Sequence, residues 1–324
     1  MRASSPRRRI ARPRRGIALV LVLLVVAILT ILVVEFQFNT RVTTRISGNV
    51  ADDLKAYYLA KSGVHIAAKV LVDDAKNTKD DDLTEDWAQE LPPIPAGDGA
   101  VQVKITDENT KVNVNRIARR GGTPDLRMLQ EFEELLTTLG QDPVIATAVL
   151  DWTDEDASQN KTGTAEDSAY GYSSQALPYP CKNQPLDTVA ELNLVAGVTA
   201  DVYRVIAPYV SIYADRRINI NTADATMLKA VLLSIDPKAD ETIATRIVEQ
   251  RQQEPFTRAS MYRVLQDQLG VPQALASRLR TYLVTTTSVF QVVSTATVND
   301  AVKTVTAVVQ RSNDKYSVLY WRAD

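Results

Sequence analysis

Six carboxylates crowd one stretch of this chain. Asp151, Asp154, Glu155 and Asp156 fall in the run Asp-Trp-Thr-Asp-Glu-Asp, and Glu166 and Asp167 follow across a polar loop containing Gly163. Like charges at that density repel unless the loop is fully solvated or a cation gathers them. Calcium, a hard ion taking six to eight oxygen ligands, suits the donor set, because the chain has one histidine, His65, and one cysteine, Cys181. Such an ion would order a long loop that a lone cysteine cannot staple with an intramolecular disulfide. The spacing is not that of an EF-hand: counted from Asp154, Gln159 and Ala165 stand where that loop needs Gly and Glu. A solvated acidic loop is the alternative. A glycosidase carboxylate pair fits poorly, since sugar-stacking aromatics do not surround the loop.

Other chemistry finds little support. A single histidine in a helical pattern leaves no partner for Ser/His/Asp or Cys/His catalysis, and no phosphate loop of the Walker type occurs, so no enzymatic activity and no small-molecule substrate are expected. The leader supplies Arg2, Arg7, Arg8, Arg9, Arg12, Arg14 and Arg15; without these seven the formal net charge moves from −2 to −9. An acidic chain is a poor binder of nucleic acid, although its paired short helices, with hairpins Ala196-Gly197-Val198 and Leu269-Gly270-Val271, have the outline of helix-hairpin-helix units.

The elements that must position the carboxylates begin with a membrane span. Ile17 to Val34 is an uninterrupted apolar or hydroxyl run of 18 residues, long enough at about 1.5 Å per residue to cross most of a hydrocarbon core of roughly 30 Å. Its arginine-rich side is expected to stay cytoplasmic and the bulk of the chain to lie in the periplasm. Beyond it, Ile46, Val50, Leu54, Tyr57, Ala60, Val64, Ala67 and Leu71 step by three or four, predicting an amphipathic continuation to about Asp74, softened at Gly48 and Gly63. His65 is expected on its surface. An irregular connection follows from Lys76 to Gly99. Alternation across Val101–Ile105 and Val112–Val114 predicts a hairpin, and three more strands are expected at Val289–Val298, Ala301–Arg311 and Tyr316–Arg322.

Between the strand groups lies a weak duplication. Val112-Asn113-Val114-Asn115 recurs as Ile218-Asn219-Ile220-Asn221, Ile145–Leu150 recurs as Ile243–Val248, and Pro185-Leu186 recurs as Pro255-Phe256. The offset falls from 98 residues at Ile145 to 70 at Pro185, so the first copy holds about 28 extra residues, the acidic ones.

A basic leader ending in Gly16 just before the apolar helix resembles the type IV prepilin signal, which implies cleavage between Gly16 and Ile17 by a prepilin peptidase. Pilins carry a glutamate at the fifth mature position; here that position is Leu21. The large minor pseudopilin family of type II secretion, protein K, lacks this glutamate. The Asp-Trp-Thr-Asp-Glu-Asp run, Ala165–Tyr170, Pro178-Tyr179 and Asn183–Leu186 are similar to that family's calcium loop, and the two copies resemble its pair of SAM-like helical domains. The resemblance implies an α+β fold: a transmembrane and amphipathic pilin helix packed on an antiparallel sheet, with an inserted all-α region. The segments would be leader 1–16, helix 17–75, sheet 76–115 and 286–324, first helical domain 116–213 and second 214–285. It implies calcium bound by Asp151, Asp154, Asp156, Glu166 and Asp167, with Asn183 or a backbone carbonyl completing the shell and Trp152 and Tyr170 packing the loop. It also implies a place in the inner membrane at the tip of a pseudopilus, in company with minor pseudopilins I and J, membrane lipid and the secretion platform. A minor pilin of a type IV pilus tip is the alternative, with a membrane-anchored nucleic-acid-binding protein behind it.

Overall fold

The computed structural model describes residues 15–324 apart from 91, 120, 160–164, 176 and 313. The leader arginines from Arg2 to Arg14 and the loop glycine Gly163 lie outside these residues, and Gly16 is described only as backbone. One helix, α1 (Arg15–Asn77), runs through the apolar stretch and on without a break. The chain continues through β1 (Ile94–Ala96) and β2 (Gly99–Asp107), then enters a lobe made of β3 (Val112–Asn113), α2 (Leu126–Thr138), α3 (Val144–Thr153), α4 (Glu166–Ala169), α5 (Ala200–Ile206), β4 (Val210–Ser211), β5 (Ile218–Asn219), α6 (Ala225–Ile235), α7 (Thr242–Gln253), α8 (Met261–Arg263), α9 (Gln273–Tyr282) and β6 (Leu283–Val284). It returns as β7 (Val289–Val298), β8 (Ala301–Ser312) and β9 (Lys315–Ala323).

The first part of α1 has mean hydropathy 3.6 over its most apolar 18 residues and none of that window is buried. Asp52 and Asp53 already reach Asn299 and Lys303 at the sheet's end, and from Ala56 onward the helix buries Ala56, Ala60, Gly63, Val64, Ala67, Ala68, Leu71 and Val72, the three-and-four spacing of one helical face. Gly63, expected to soften the helix, instead lets it touch the sheet: a Cβ there would stand 2.2 Å from Ser294 Oγ and 3.0 Å from a Val101 methyl. His65 is exposed on α1, with its Nδ1 2.9 Å from the Tyr316 hydroxyl. The sheet is antiparallel throughout in the order β1-β2-β7-β8-β9, and Phe290, Val292, Ala296, Val305, Ala307 and Val309 alternate onto the face that α1 covers.

The expected hairpin between Val101–Ile105 and Val112–Val114 does not form. β2 pairs with β1 and β7, whereas β3 pairs in parallel with β4. Asp107 accepts from Asn109 N and Asn113 from Asn115 N, so two tight helical turns carry the chain off the sheet and into the lobe. The connection from Lys76 to Gly99 also holds more order than expected, with a turn that buries Trp87 and the edge strand β1.

The duplication survives as hydrogen bonds. Asn115 Nδ2 donates to Leu186 O at 2.9 Å and Leu186 N donates to Asn115 Oδ1 at 2.8 Å; Asn221 makes the same pair with Phe256, each at 2.8 Å. Each copy also closes on a two-residue parallel pairing, β3 with β4 and β5 with β6. The hairpin glycines Gly197 and Gly270 take φ of +82° and +64°, a conformation open to Gly at no steric cost. Their buried side chains form one continuous core rather than two.

Glu131 on α2 sits in that core with no exposure and no hydrogen bond on either carboxylate oxygen among the described residues. Burial pushes its carboxyl up to about 8 from a reference of 4.5, despite the nearby Arg127 guanidinium. Between those values the folded chain holds a proton that the unfolded chain has lost, so stability from this group falls as pH rises through the window. Asp81 and Glu166, raised to about 6 and about 7, slope the same way, so the comparison of variant with parent isolates Glu131. Glu131→Gln is expected to flatten the decline and to stabilise the chain on the order of 2 kcal/mol at pH 7, measured by denaturant unfolding at several pH values. An unchanged slope would show that Glu131 is solvated.

Candidate metal centre

The first two carboxylates come from the end of α3, a helix buried on all sides from Ile145 to Thr153. Asp151 lies in its last turn and Asp154 caps it, at 0% and 1% exposure. A helix C-terminus already carries partial negative charge, so carboxylates there make the local potential more negative still. The chain then loops outward and returns through an antiparallel pairing of Ser158 with Ala165, which delivers Glu166, 1% exposed, as the first residue of α4. One oxygen from each of Asp151, Asp154 and Glu166 lies within 4.8 Å of the others. Ligands on opposite sides of a calcium ion, each at 2.3–2.6 Å, are about as far apart, so the spacing suits a hard cation.

The neighbours of the trio are oxygens and one sulfur. Tyr170 donates its hydroxyl to Asp151 Oδ2 at 2.5 Å, while the Cys181 thiol reaches the Asp151 carbonyl at 3.5 Å. Neither oxygen of Glu166 accepts a hydrogen bond of ordinary geometry among the described residues, and the Cys181 thiol offers only weak compensation. Burial, reinforced by the carboxylates of Asp154, Asp151 and Asp156, pushes Glu166 up to about 7. Burial also raises Cys181 to about 12, with Glu166 adding to the effect, so this thiol is inert at neutral pH. Asn183, at φ 50°, donates from Nδ2 to the Asp156 carbonyl and keeps a buried Oδ1 without a donor among the described residues.

Of the five carboxylates singled out from the sequence, Asp151, Asp154 and Glu166 are thus brought together. Asp156 is exposed and its Oδ1 accepts from Ser158 N at 2.8 Å; Asp167 turns away and its Oδ1 accepts from Cys181 N at 2.6 Å. Both brace the loop in these positions. Trp152 packs edge-on against Tyr172 and Tyr179, with ring centroids 5.3 and 6.2 Å away, and Tyr170 covers the acidic trio.

A second trio, Asp74, Asp81 and Glu85, has similar spacing but a different environment. Arg311 Nη1 bonds Asp74 Oδ2 at 3.2 Å, Arg311 Nη2 pairs with Asp81, and Glu85 Oε2 accepts from Trp87 Nε1 at 2.7 Å. Here the chain supplies its own cation. Sequence reading missed this cluster, because Arg311 stands more than two hundred positions from the three carboxylates and no local pattern links it to α1.

The comparisons with known proteins bear on the whole chain. Sequence models described as type II secretion system (T2SS), protein K, match residues 110–215 and 218–286, the two copies of the lobe. The chain is 32% identical over 316 residues to the type II secretion system protein K of Pseudomonas aeruginosa, covering 94% of this chain and 90% of that protein. Against the protein of the same description from Aeromonas hydrophila it is 28% identical over 329 residues, covering 96% and 97%. It resembles in fold a chain of the crystallised GspK-GspI-GspJ complex of the type 2 secretion system of enterotoxigenic Escherichia coli, with TM-score 0.65, 23% identity, and coverage of 88% of this chain and 99% of that one. An apolar N-terminal helix, a pilin-type sheet, a duplicated helical lobe and a full-length relationship therefore agree, and the chain belongs to the type II secretion system protein K family.

Proposed function

We propose that this chain is a non-enzymatic minor pseudopilin that occupies the tip of a type II secretion pseudopilus, supports its initiation, and so serves protein export across the outer membrane. The observation that carries this reading is the lobe itself: a body spanning β3 to β6, inserted between β2 and β7 and seated at the end of α1 remote from the apolar span. A subunit carrying such a lobe obstructs further stacking above it. The apolar stretch of α1 would lie in the inner membrane lipid with the arginine-rich end cytoplasmic, held there by the bias of cationic residues. Leu21 in place of glutamate agrees with a terminal subunit, which can forgo one contact made by subunits within a filament. The expected test is co-expression with a prepilin peptidase and N-terminal sequencing of the membrane extract. The product should begin at Ile17; an intact leader or a cut beyond Val34 would overturn the assignment.

The partners on this reading are the I- and J-type minor pseudopilins named in the related complex, and the secretion platform. Ile46, Val50 and Leu54 supply the surface: they are 58%, 61% and 55% exposed, on the stretch of α1 that precedes its buried contact face. A strip of this kind beyond the apolar span suits a neighbouring subunit's helix. Co-purification of the full chain with its I and J counterparts is expected, and V50D with L54D should reduce recovery by about tenfold while leaving the melting temperature unchanged. Equal recovery would place the interface elsewhere.

For the loop we propose calcium, held by Asp151, Asp154 and Glu166 with Asn183 Oδ1 as a further oxygen. The support is the undonated Glu166 carboxylate beside two others in a buried pocket; bound calcium would neutralise them and tie α3 to α4. At a calcium concentration about a hundredfold above Kd, the full chain should gain about 2.7 kcal/mol, read as a melting temperature higher by several degrees and reversed by chelation. Glu166→Gln should lose most of that gain. No shift at millimolar calcium would sink the assignment.

A further inference from the structure

Between the C-terminal end of α1 and the second helical copy lies a cleft of about 660 Å³. Of the five cationic residues that line it, four are exposed, Lys79, Arg217, Arg258 and Arg280, and they come from four separate parts of the sequence. Lys79, Arg217 and Arg258 have side chains with no hydrogen bond or ion pair among the described residues, and Arg280 lies 5.3 Å above the Tyr262 ring. The one carboxylate of the lining, Asp80, is already engaged: its Oδ1 accepts from Arg258 N at 3.1 Å and from Thr285 Oγ1 at 2.5 Å. Arg311, deeper in the cleft, is answered by Asp74 and Asp81.

Convergence of three unanswered cations with a fourth set over a tyrosine ring is unfavourable in itself, and it stands out in a chain whose charge without the leader arginines is −9. Three of the four are arginine, whose planar fork matches a carboxylate bidentately. Thr286 adds a hydroxyl along the wall, while those of Thr78 and Thr257 already donate to Asp74 O at 3.3 Å and to Ser260 Oγ at 2.9 Å. A lipid headgroup is out of reach, because Thr78 lies about 65 Å along the helix from Val34, the end of the apolar run. A single small oxyanion would leave most of the cleft empty, whereas the volume is that of a site for a larger ligand.

We propose that this cleft is a docking site for an acidic peptide segment, an Asp- or Glu-rich stretch of a partner protein whose carboxylates lie along Arg217, Arg258 and Arg280. The inference rests on the charge and shape of the cleft and holds whether or not the chain acts at a pseudopilus tip.

The test is fluorescence anisotropy of labelled hexaglutamate added to the full chain in nonionic detergent and calcium-containing buffer of low ionic strength. Saturable binding is expected, weakening as salt is raised. The triple variant R217Q/R258Q/R280Q should bind about tenfold more weakly. Arg278→Gln, exposed on α9 but outside the cleft, should bind as the parent does. Thermal melting confirms that each variant is folded, and competition on the parent chain needs no variant at all. Absence of binding, an equal loss from Arg278→Gln, or displacement of the peptide by inorganic phosphate or a single-stranded oligonucleotide at equal charge concentration would each overturn the proposal.

Discussion

The fold depends on how closely one helix can approach one sheet. α1 is apolar around its whole circumference over its first part and one-sided where it meets the sheet, and the change falls within a single unbroken helix. On the protein side its contact face over β2, β7 and β8 joins Val64, Leu71 and Val72 to the small residues Ala56, Ala60, Gly63, Ala67 and Ala68, which let the backbone come close. At Gly63 the approach leaves no room for a methyl group. β2 and β7 are also the strands on either side of the lobe, so the seam that holds the helix also fixes the base of the insertion.

The lobe is then locked at its root by buried polar groups. Asp107, at the end of β2, accepts from Asn219 Nδ2 at 2.9 Å and from Thr222 Oγ1 at 2.7 Å, and Asn219 Nδ2 also reaches the Asp81 carbonyl at 3.2 Å. Burial raises the Asp107 carboxyl above its ordinary range while these donors oppose the shift. Through Asp81 the network joins Arg311 on β8, and through Arg311 it joins the end of α1. Removing one member would leave another buried without its partner, which costs several kcal/mol, whereas the paired network costs little to keep. Helix, sheet and second helical copy therefore hold one relative orientation.

What was legible in the sequence follows from the range of the forces involved. β7, β8 and β9 show themselves by strict alternation and by polar turns such as Asn299-Asp300, where Asn299 takes φ 50°. The duplication is legible because Asn115 and Asn221 perform one local job twice. The false hairpin arose because Val112, Asn113 and Val114 alternate as a strand does, although Asn113 is there to cap a turn. β1 was hidden by Pro95, which an edge strand accommodates because it need not donate on its open side. In the acidic loop, charge density marked the region, but the division into inward Asp151, Asp154 and Glu166 and outward Asp156 and Asp167 depends on where α3 stops and how Ala165 pairs with Ser158, neither of which charge alone specifies.

The two acidic trios show why a cluster of carboxylates is informative only with its surroundings. Around Asp74 and Asp81, a guanidinium with 10% of its side chain exposed provides the counter-charge, and its fork is oriented by the Leu71 and Thr287 carbonyls. Asp74 and Asp81 are thus answered from within the chain, and a metal ion between them would have to displace an arginine. Glu166 instead faces carboxylates and a thiol whose own ionisation is suppressed, so its charge can be balanced by a proton or by an external cation. A proton would balance Glu166 alone, whereas Asp151 and Asp154 also lie within 4.8 Å of it at the negative end of α3. The divalent ion proposed for this loop would bridge all three at once, at the point where the loop has no disulfide to close it.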